Sequence, residues 1–394
     1  MTLGWLSIVR LGLVQTCLGA IVVLTTSTLN RLMVIELALP AVLPGLLVAL
    51  HYGIQMTRPN WGFISDQGGN RTRWIVLGMI ALALGGFGAA LGVVLLQTVW
   101  ISGLLLSIVS YALIGLGVGA SGTSLLALLA KSTAPHRRAA AATITWLMMI
   151  FGIAVTAGTV GAFLDPYSPE LLLKIVAIVC VSAVVVTMLA TLGIERGITS
   201  EVSTADPMGF AEGLREVWSE PKARIFTIFV FLSMTAYFMQ ELILEPYAGL
   251  VFGFKPGQST SMSCAQNGGV FIGMLTVGIA ATGLRIGQLR HWVVAGCLGS
   301  ALTLIFITII GQLGHIPLTP FVVGLGFFNG MFAVAAIGSM MALAGGGRET
   351  REGTRMGLWG AGQAIACGFG GLRGAGAVRL QRGLIRHVAP LGHP

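Results

Sequence analysis

The sequence predicts an all-α polytopic membrane protein built from two similar halves. Of its 394 residues, 55% are hydrophobic and only 9% are charged, and the mean hydropathy is +0.88. Two stretches of equal length, residues 74–130 and 291–347, contain no charged residue at all. Each stretch is long enough for two membrane-spanning helices of ~20 residues joined by a tight turn. We therefore expect the bilayer, and not water, to surround most of the chain.

The charge-poor segments, taken in order, are interpreted as membrane-spanning helices. Residues 1–194 form a first half with six of them, and residues 225–372 form a second half with about five. Two six-helix halves are implied, with a binding site expected between them near the bilayer midplane and with the last helix missing or altered, which leaves about 11 transmembrane helices. The predicted spans are residues 11–29, 37–57, 74–96, 101–130, 140–163, 173–194, 225–249, 262–284, 292–312, 318–344 and 356–372.

Glycine supports both the helix packing and the repeat. The chain contains 56 glycines, which suit helices whose backbones approach closely in a membrane. Gly115-Leu116-Gly117 in the fourth predicted span is echoed by Gly324-Leu325-Gly326 in the tenth, and each is followed by a basic loop and a tryptophan, Trp146 or Trp359. The sequence therefore predicts corresponding helices in the two halves.

Residues 195–224, which join the halves, form a predicted cytoplasmic linker rich in charge. Phe210, Leu214, Val217 and Trp218 recur there at helical spacing, which favours a helix lying along the membrane surface. A flexible loop is the alternative interpretation.

The last residues, 373–394, form a basic tail whose composition changes abruptly after Gly371. Its four arginines interrupt any apolar run of spanning length. Three explanations are open: the eleventh segment does not cross the membrane, the tail is tolerated outside, or a shifted reading frame has replaced the end of the chain.

The distribution of basic residues predicts the orientation. With the N-terminus in the cytoplasm, sixteen Lys and Arg fall inside and three outside, apart from the tail. Membrane topology therefore explains the net charge of +9, because basic residues concentrate on the cytoplasmic side. We expect no binding to nucleic acid. The inner residues are Arg10, Arg58, Arg71, Arg73, Lys131, Arg137, Arg138, Arg196, Arg215, Lys222, Arg224, Arg285, Arg290, Arg348, Arg351 and Arg355, and the outer ones are Arg31, Lys174 and Lys255.

Several classes of function find no support in the sequence. The five cysteines are scattered and odd in number, which suits neither a disulfide framework nor a metal cluster. The chain has no nucleophile elbow and no glycine-rich phosphate loop ending in Lys-Ser or Lys-Thr. We therefore expect neither a soluble type of enzyme nor ATP-driven transport by this chain alone.

The loop after the second span carries a recognisable pattern. Gly62 is followed four residues later by Asp66, three residues after that by Gly69, and then by Arg71 and Arg73. This arrangement resembles the loop signature of the major facilitator superfamily, and it predicts a major-facilitator-like fold. The glycines permit a tight turn, while the carboxylate can hold a basic group or a helix end in one conformational state. The alternative is a solvated turn that only fixes topology.

Five residues inside predicted spans are candidates for ligand binding. Glu241 and Glu245 lie one helical turn apart, so their carboxylates would repel unless one is protonated or a cation lies near. His51 lies in an apolar helix, where it could bind a metal or only hydrogen-bond to a neighbour. Trp146 and Trp359 would suit a flat hydrophobic ligand or plain helix packing.

Several longer runs resemble the PucC-type bacteriochlorophyll delivery family, whose members assemble light-harvesting complexes within the major facilitator superfamily. The resemblance covers residues 1 to about 371, and members of the family normally have twelve helices. The matching runs are Leu11–Gln15, Leu24–Arg31, Glu36–Pro40, Leu50–Tyr52, Arg137–Thr143, Leu244–Gly249 and Arg351–Gly360.

This resemblance implies a protein of the bacterial inner, intracytoplasmic photosynthetic membrane that delivers bacteriochlorophyll to light-harvesting α and β polypeptides. The pigment would be a bound cargo, and its central Mg²⁺ would need an axial ligand, for which His51, Glu241 and Glu245 are candidates. A proton-coupled exporter of a small amphipathic compound is the alternative, with the same glutamates as proton carriers. An enzyme that modifies the pigment has little support, and homo-oligomerisation is left open.

Overall fold

The computed structural model describes residues 2–40, 42–67, 70–164, 167–195, 210–254, 256–313, 316–344 and 351–367, and nearly all of them are helical. The all-α prediction is therefore confirmed. The contacts divide the chain into two compact units, which are described separately. Unit 1 comprises Met1–Thr227 with Ile337–Ala364, and unit 2 comprises Ile228–Ala336 with the residues from Ile365 onward.

Unit 1 holds the helices of the first half, the linker helix and the segment that follows residue 350. Its elements are α1 (Trp5–Val23), a π-helical turn (Leu24–Thr28), α2 (Leu29–Ile35), α3 (Val42–Ile54), a 3-10 turn (Gln55–Thr57), α4 (Arg58–Gln67), α5 (Arg71–Leu95), α6 (Trp100–Ser132), a 3-10 turn (Pro135–Arg137), α7 (Arg138–Phe163), α8 (Pro169–Thr191) and α9 (Phe210–Ser219).

The remaining helices belong wholly or partly to unit 2. They are α10 (Pro221–Phe252), α11 (Pro256–Gly278), a π-helical turn (Ile279–Gly283), α12 (Leu289–Leu313) and α13 (Thr319–Ala344), and the last described helix, α14, spans residues 352–367. The unit boundaries fall within α10, α13 and α14.

Side-chain caps and prolines explain where some of these helices begin. Asn70 precedes α5 and accepts a hydrogen bond from the backbone N–H of Arg73 at 3.0 Å. Ser168 does the same for Leu171 at 3.2 Å before α8, whose first residue is Pro169. Each cap satisfies an N–H that the first helical turn leaves unpaired, and proline lacks that N–H altogether.

Eight helical segments of the described residues are long and apolar enough to cross a membrane. Each of the eleven predicted spans overlaps a helix in the residues that the structure describes, although the count of eleven crossings stays a prediction. Large apolar side chains such as Leu6, Leu84 and Ile178 are exposed on these helices, as expected for a protein whose surroundings are lipid. The eight segments are Trp5–Val34, Arg71–Leu95, Trp100–Ser132, Pro135–Val160, Pro169–Thr191, Pro221–Gln240, Leu289–Leu313 and Thr319–Ala344.

Glycines bring neighbouring helices into backbone contact in both units. In unit 1, a Cβ on Gly117 of α6 would lie 2.5 Å from the backbone nitrogen of Leu82 in α5. In unit 2, Gly326 of α13 packs on the carbonyl of Gln266 in α11. These two glycines end the repeated Gly-Leu-Gly motifs, so each motif marks a close helix contact.

The linker contains the predicted helix. Helix α9 covers all four residues of the apolar stripe, and of these Val217 is fully buried whereas Trp218 is 43% exposed. Residues 210–219 are thus helical, whereas the position of this helix along the membrane surface stays a prediction. The basic tail of residues 373–394 lies outside the described residues.

Candidate functional site

A buried ion cluster joins the end of α4 and the start of α5 to the start of α14 in unit 1, and Gly62 and Asp66, predicted to lie in a loop, are helical. The Asp66 carboxylate accepts hydrogen bonds from Arg71 Nη2 at 2.7 Å, from the backbone N–H groups of Gly353 and Thr354 at 2.8 and 2.9 Å, and from Thr354 Oγ1 at 3.0 Å. The Asp66 side chain has 0% exposure. Because the first N–H groups of a helix carry partial positive charge, Asp66 acts as an anionic cap on α14.

Arg71 is the cation at the centre of this cluster. Its Nη2 also pairs with Glu352 Oε2 at 2.8 Å, and its Nη1 donates to the carbonyl of Ala127 at 3.1 Å. The side chain is only 6% exposed. Two carboxylates and a carbonyl therefore satisfy the guanidinium, as a buried charge requires.

A third carboxylate, Glu195, caps the beginning of α5. Its two oxygens accept from the backbone N–H groups of Arg71 and Thr72 at 3.0 and 3.1 Å. The end of α8 is thus tied to the start of α5. Sequence analysis did not assign Glu195 a role, because nothing in the sequence indicates that these two chain segments meet.

Two glycines allow the backbones of α4 and α14 to touch. A Cβ on Gly62 would collide with the carbonyl of Gly353, and a Cβ on Gly353 would lie 2.6 Å from Asp66 Oδ1. The structure therefore brings together Gly62, Asp66 and Arg71 of the predicted loop motif. Arg73 is exposed and only its backbone N–H takes part in the local capping. Gly69 lies outside the described residues.

The partners on α14 were missed by the motif search. Glu352, Gly353 and Thr354 lie 281 to 288 positions after the residues that they bind, Asp66 and Arg71. Only the fold brings them together. The available signal was the unusual Arg-Glu-Gly-Thr-Arg run beginning at Arg351, which sequence analysis used only as part of the family resemblance.

The same end of unit 1 binds the linker helix through a second set of ion pairs. Arg351 Nε lies 3.3 Å from Glu216 Oε2, and Arg355 Nη2 lies 2.6 Å from Glu220 Oε1. The two arginines are four residues apart in the chain and so are the two glutamates, and the pairs therefore form two successive rungs between the segments. Phe63 packs beside them, with Arg351 over its ring at 5.6 Å.

A row of buried polar side chains runs along the helix that precedes this cluster. Arg58 Nη2 donates to Gln55 Oε1 at 2.5 Å, and the Gln55 amide nitrogen lies 2.9 Å from His51 Nε2. A guanidinium is donor only, so Gln55 must present its oxygen to Arg58 and its NH₂ group to His51. His51 Nε2 is then the acceptor, and the neutral ring carries its proton on Nδ1.

This arrangement bears on the predicted ligand role of His51. The side chain is 1% exposed, and the lone pair that could coordinate a metal already accepts the Gln55 hydrogen bond. Coordination through Nε2 would therefore require Gln55 to move. In this conformation His51 hydrogen-bonds to a neighbour, which is one of the two roles expected from the sequence. Pigment binding by His51 stays a prediction.

The other candidate residues lie apart from this row. Trp146 is half-buried on α7, and Trp359 on α14 is fully buried with its ring edge-on to Phe226 at a centroid distance of 5.1 Å. Glu241 and Glu245 lie on α10, but their side chains are outside the described residues. No group of three or more His, Cys, Asp or Glu that could hold a metal occurs in the described parts of the chain.

The fold matches solved transporters along almost the whole chain. A bacterial homologue of the iron transporter ferroportin, in the outward-facing state, superposes with a TM-score of 0.77 at 13% identity, covering 96% of this chain and 92% of that one. The proton:xylose symporter XylE, described as a major facilitator superfamily protein, gives 0.69 at 17% identity over 97% and 89%. At these identities the likeness shows the fold alone. The chain therefore has the major facilitator fold, and the Asp66 cluster lies where α4 and α5 meet, at the residues of the sequence motif.

Sequence relatives narrow this class to one family. A family model described as PUCC protein matches residues 28–392, which extends past residue 371, where the resemblance found by motif was expected to end. The "Bacteriochlorophyll synthase 44.5 kDa chain" of Rhodobacter capsulatus is 70% identical over 97% of this chain and 89% of its own length. "Protein PucC" of the same species is 28% identical over 94% and 83%. The chain belongs to the PUCC protein family.

Proposed function

We propose that this protein is a membrane assembly factor that binds bacteriochlorophyll and delivers it to light-harvesting α and β polypeptides. The observation that carries the proposal is the membership in the PUCC family, together with 70% identity to a relative whose name refers to bacteriochlorophyll. The transporter fold supports it, because such folds expose a ligand site to different surroundings in turn. The pigment is then a cargo of the protein.

We assign the role of carrier rather than that of an enzyme. The name of the Rhodobacter capsulatus relative speaks of a synthase, whereas the fold is that of transporters. The carboxylates of the Asp66 cluster are fully engaged in capping α14 and pairing with Arg71. Groups occupied in this way hold helices together and are poorly placed for proton transfer to a substrate.

Pigment binding requires an apolar surface and a donor for the central Mg²⁺. His51 can serve as that donor once Gln55 releases Nε2, so ligation there would be coupled to a change in the His51–Gln55–Arg58 row. Glu241 and Glu245 are the oxygen donors proposed beside it. Trp146 and Trp359 are proposed as flat apolar surfaces for the macrocycle.

The binding test is an absorbance spectrum of the full chain purified in mild detergent from a phototrophic host. Near-infrared bacteriochlorophyll bands are expected with the wild type and with His136→Ala, whose exposed imidazole is the matched control. Loss of the bands in His51→Ala identifies the ligand as His51, and loss in Glu241→Gln but not in Glu212→Gln identifies Glu241. A wild type without pigment contradicts the proposal.

The delivery test mixes the pigment-loaded protein with light-harvesting α and β polypeptides in detergent. Transfer is expected to shift the near-infrared band to that of the assembled antenna, faster than free pigment at the same concentration does. Equal rates would contradict delivery and leave binding alone.

The alternative is a proton-coupled exporter of a small amphipathic compound, and the major facilitator fold is the observation that favours it. Glu241 and Glu245 would then carry protons. In proteoliposomes, substrate-dependent proton flux by a protein free of pigment, abolished by Glu241→Gln, would support the exporter against the assembly factor.

A further inference from the structure

Arg58 is a partly buried cation of unit 1, and the described residues supply it with no carboxylate partner. It lies two turns before Asp66 on the same helix, a distance of ~12 Å along the axis at 1.5 Å per residue. Its one hydrogen bond among the described residues goes to the neutral amide of Gln55, and its Nε is buried without an acceptor. The buried arginines of this region, Arg71 and Arg355, each have a carboxylate partner.

A second unsatisfied donor belongs to Trp61, which lies about one turn after Arg58 on α4. Like Arg58 Nε, the buried Nε1 of Trp61 has no partner among the described residues, and an indole nitrogen can only donate. Trp61 and Arg58 both approach the Cα of Gly119 on α6, where an added Cβ would lie 3.2 Å from Trp61 Cδ1 and 3.6 Å from Arg58 Cγ. Unpaired buried donors are costly unless an acceptor is supplied.

Glycines let two helices pack directly against this arginine. A Cβ on Gly360 of α14 would lie 2.8 Å from both Cδ and Nη1 of Arg58. Helices α6 and α14 thus each present a glycine to this side chain. The guanidinium is therefore flanked by helix backbone, and the indole of Trp61 lies beside it.

We propose that Arg58, with Trp61 as a neighbouring donor, binds the single anionic head group of an amphiphile, either a carboxylate or a phosphate. An arginine fork matches the two oxygens of such a group. The position of Arg58 directly after the predicted span of residues 37–57 argues for an amphiphile, because its head group can reach this cation while its apolar part stays in the membrane. Two sources supply this chemistry: a free-acid form of the pigment, whose propionate ends in a carboxylate, and an anionic phospholipid. The pigment source rests on the proposed function, and the lipid source does not.

The pigment arm of the test compares two ligands that differ in charge and by one methyl group. The full chain in neutral detergent is titrated with the free-acid pigment and with its methyl ester, and binding is followed by absorbance. We expect the acid to bind about tenfold to a hundredfold more tightly, the usual value of a charge-assisted hydrogen bond. Arg58→Gln should remove this preference, whereas Arg58→Lys should keep part of it and Arg290→Gln, an exposed arginine, should keep all of it.

The lipid arm uses mass spectrometry of lipid retained after purification from mixed micelles of phosphatidylglycerol and phosphatidylcholine. Retention of phosphatidylglycerol by the wild type and by Arg290→Gln, but not by Arg58→Gln, assigns the head group to lipid. The proposal is overturned if the wild type binds acid and ester equally and if, in addition, Arg58→Gln retains as much phosphatidylglycerol as the wild type. Both wild-type comparisons need no variant and therefore remain valid if Arg58→Gln does not fold.

The two proposals fail in different ways. If the ester and the acid bind equally and Arg58 does not affect retention of lipid, pigment carriage stands and the anion site falls. If neither pigment form binds while phosphatidylglycerol is held through Arg58, the anion site stands and pigment carriage falls.

Discussion

Asp66 illustrates how much one side chain can carry in this protein. Its two oxygens accept four hydrogen bonds, of which one comes from a guanidinium and two come from the first N–H groups of α14. Every one of these donors is buried, so each depends on the carboxylate for an acceptor. The loop motif predicted the importance of Asp66, but it named neither the helix nor the residues that Asp66 binds.

We expect Asp66→Asn to destabilise the protein by about 3–5 kcal/mol, the range found when one partner of a buried ion pair is removed. The amide would place an NH₂ group against N–H donors on one side and would leave Arg71 with Glu352 alone. Thermal unfolding in detergent measures the effect, with the exposed Glu212→Gln as control. Equal unfolding temperatures for the two variants would contradict the assigned role of Asp66.

At the scale of elements, the approach of α4 to α14 depends on glycine. Gly62 is in backbone contact with Gly353, whereas Gly53, nine residues earlier in the same part of the chain, has no atom within 4 Å of an added Cβ. Substituting each glycine by alanine therefore distinguishes the effect of helix propensity, at Gly53, from the effect of losing a close helix contact, at Gly62.

Gly53→Ala is expected to be neutral or to stabilise α3 by about 0.5–1 kcal/mol, because alanine favours the helix. Gly62→Ala should instead lower the unfolding temperature clearly, since its methyl group collides with the Gly353 carbonyl and pushes α14 away from Asp66. Unfolding scans of both variants in the same detergent check this. A Gly62→Ala protein as stable as Gly53→Ala would show that the contact is dispensable.

The linker helix is held by charge as well as by apolar packing. The Arg355–Glu220 pair is bidentate, with Nη2–Oε1 and Nε–Oε2 distances of 2.6 and 3.2 Å, and the arginine side chain is only 1% exposed. Such a pair has a defined geometry and little freedom to find other partners.

A double-mutant cycle of Arg355→Gln and Glu220→Gln should give a coupling free energy of about 1–3 kcal/mol. Each single variant leaves a buried or half-buried charge without its partner, while the double variant removes both charges. Chemical unfolding in detergent supplies the four stabilities. In the parallel control cycle, the stability effects of Arg290→Gln and Glu212→Gln, both at exposed positions, should be additive. Additive effects in the Arg355–Glu220 cycle as well would contradict a stabilising ion pair.

At the scale of the whole molecule, the distribution of charge predicts orientation. The loop between α4 and α5 is flanked by Arg71 and Arg73, while the turn between α5 and α6 carries no charge. From the positive-inside rule we expect the first loop, and the N-terminus, to lie in the cytoplasm.

Single cysteines test this orientation in a background without the five native ones. Gln67→Cys should react with a membrane-impermeant maleimide only in inside-out vesicles, whereas Thr98→Cys should react only from the opposite side. Both positions are exposed. The reverse pattern would invert the predicted topology, and reaction of both from one side would contradict a spanning α5.

The sequence by itself determined the fold class, the helical segments, the close-packing glycines and the loop motif. These properties are local, because apolar length, charge voids and glycine spacing are set by neighbouring residues. Only the tertiary structure decided the partners of Asp66 and Arg71 on α14, the capping of α5 by Glu195, and the orientation of the His51–Gln55–Arg58 row. Those contacts join positions far apart in the chain, and hydrogen-bond geometry, not composition, decides which donor meets which acceptor.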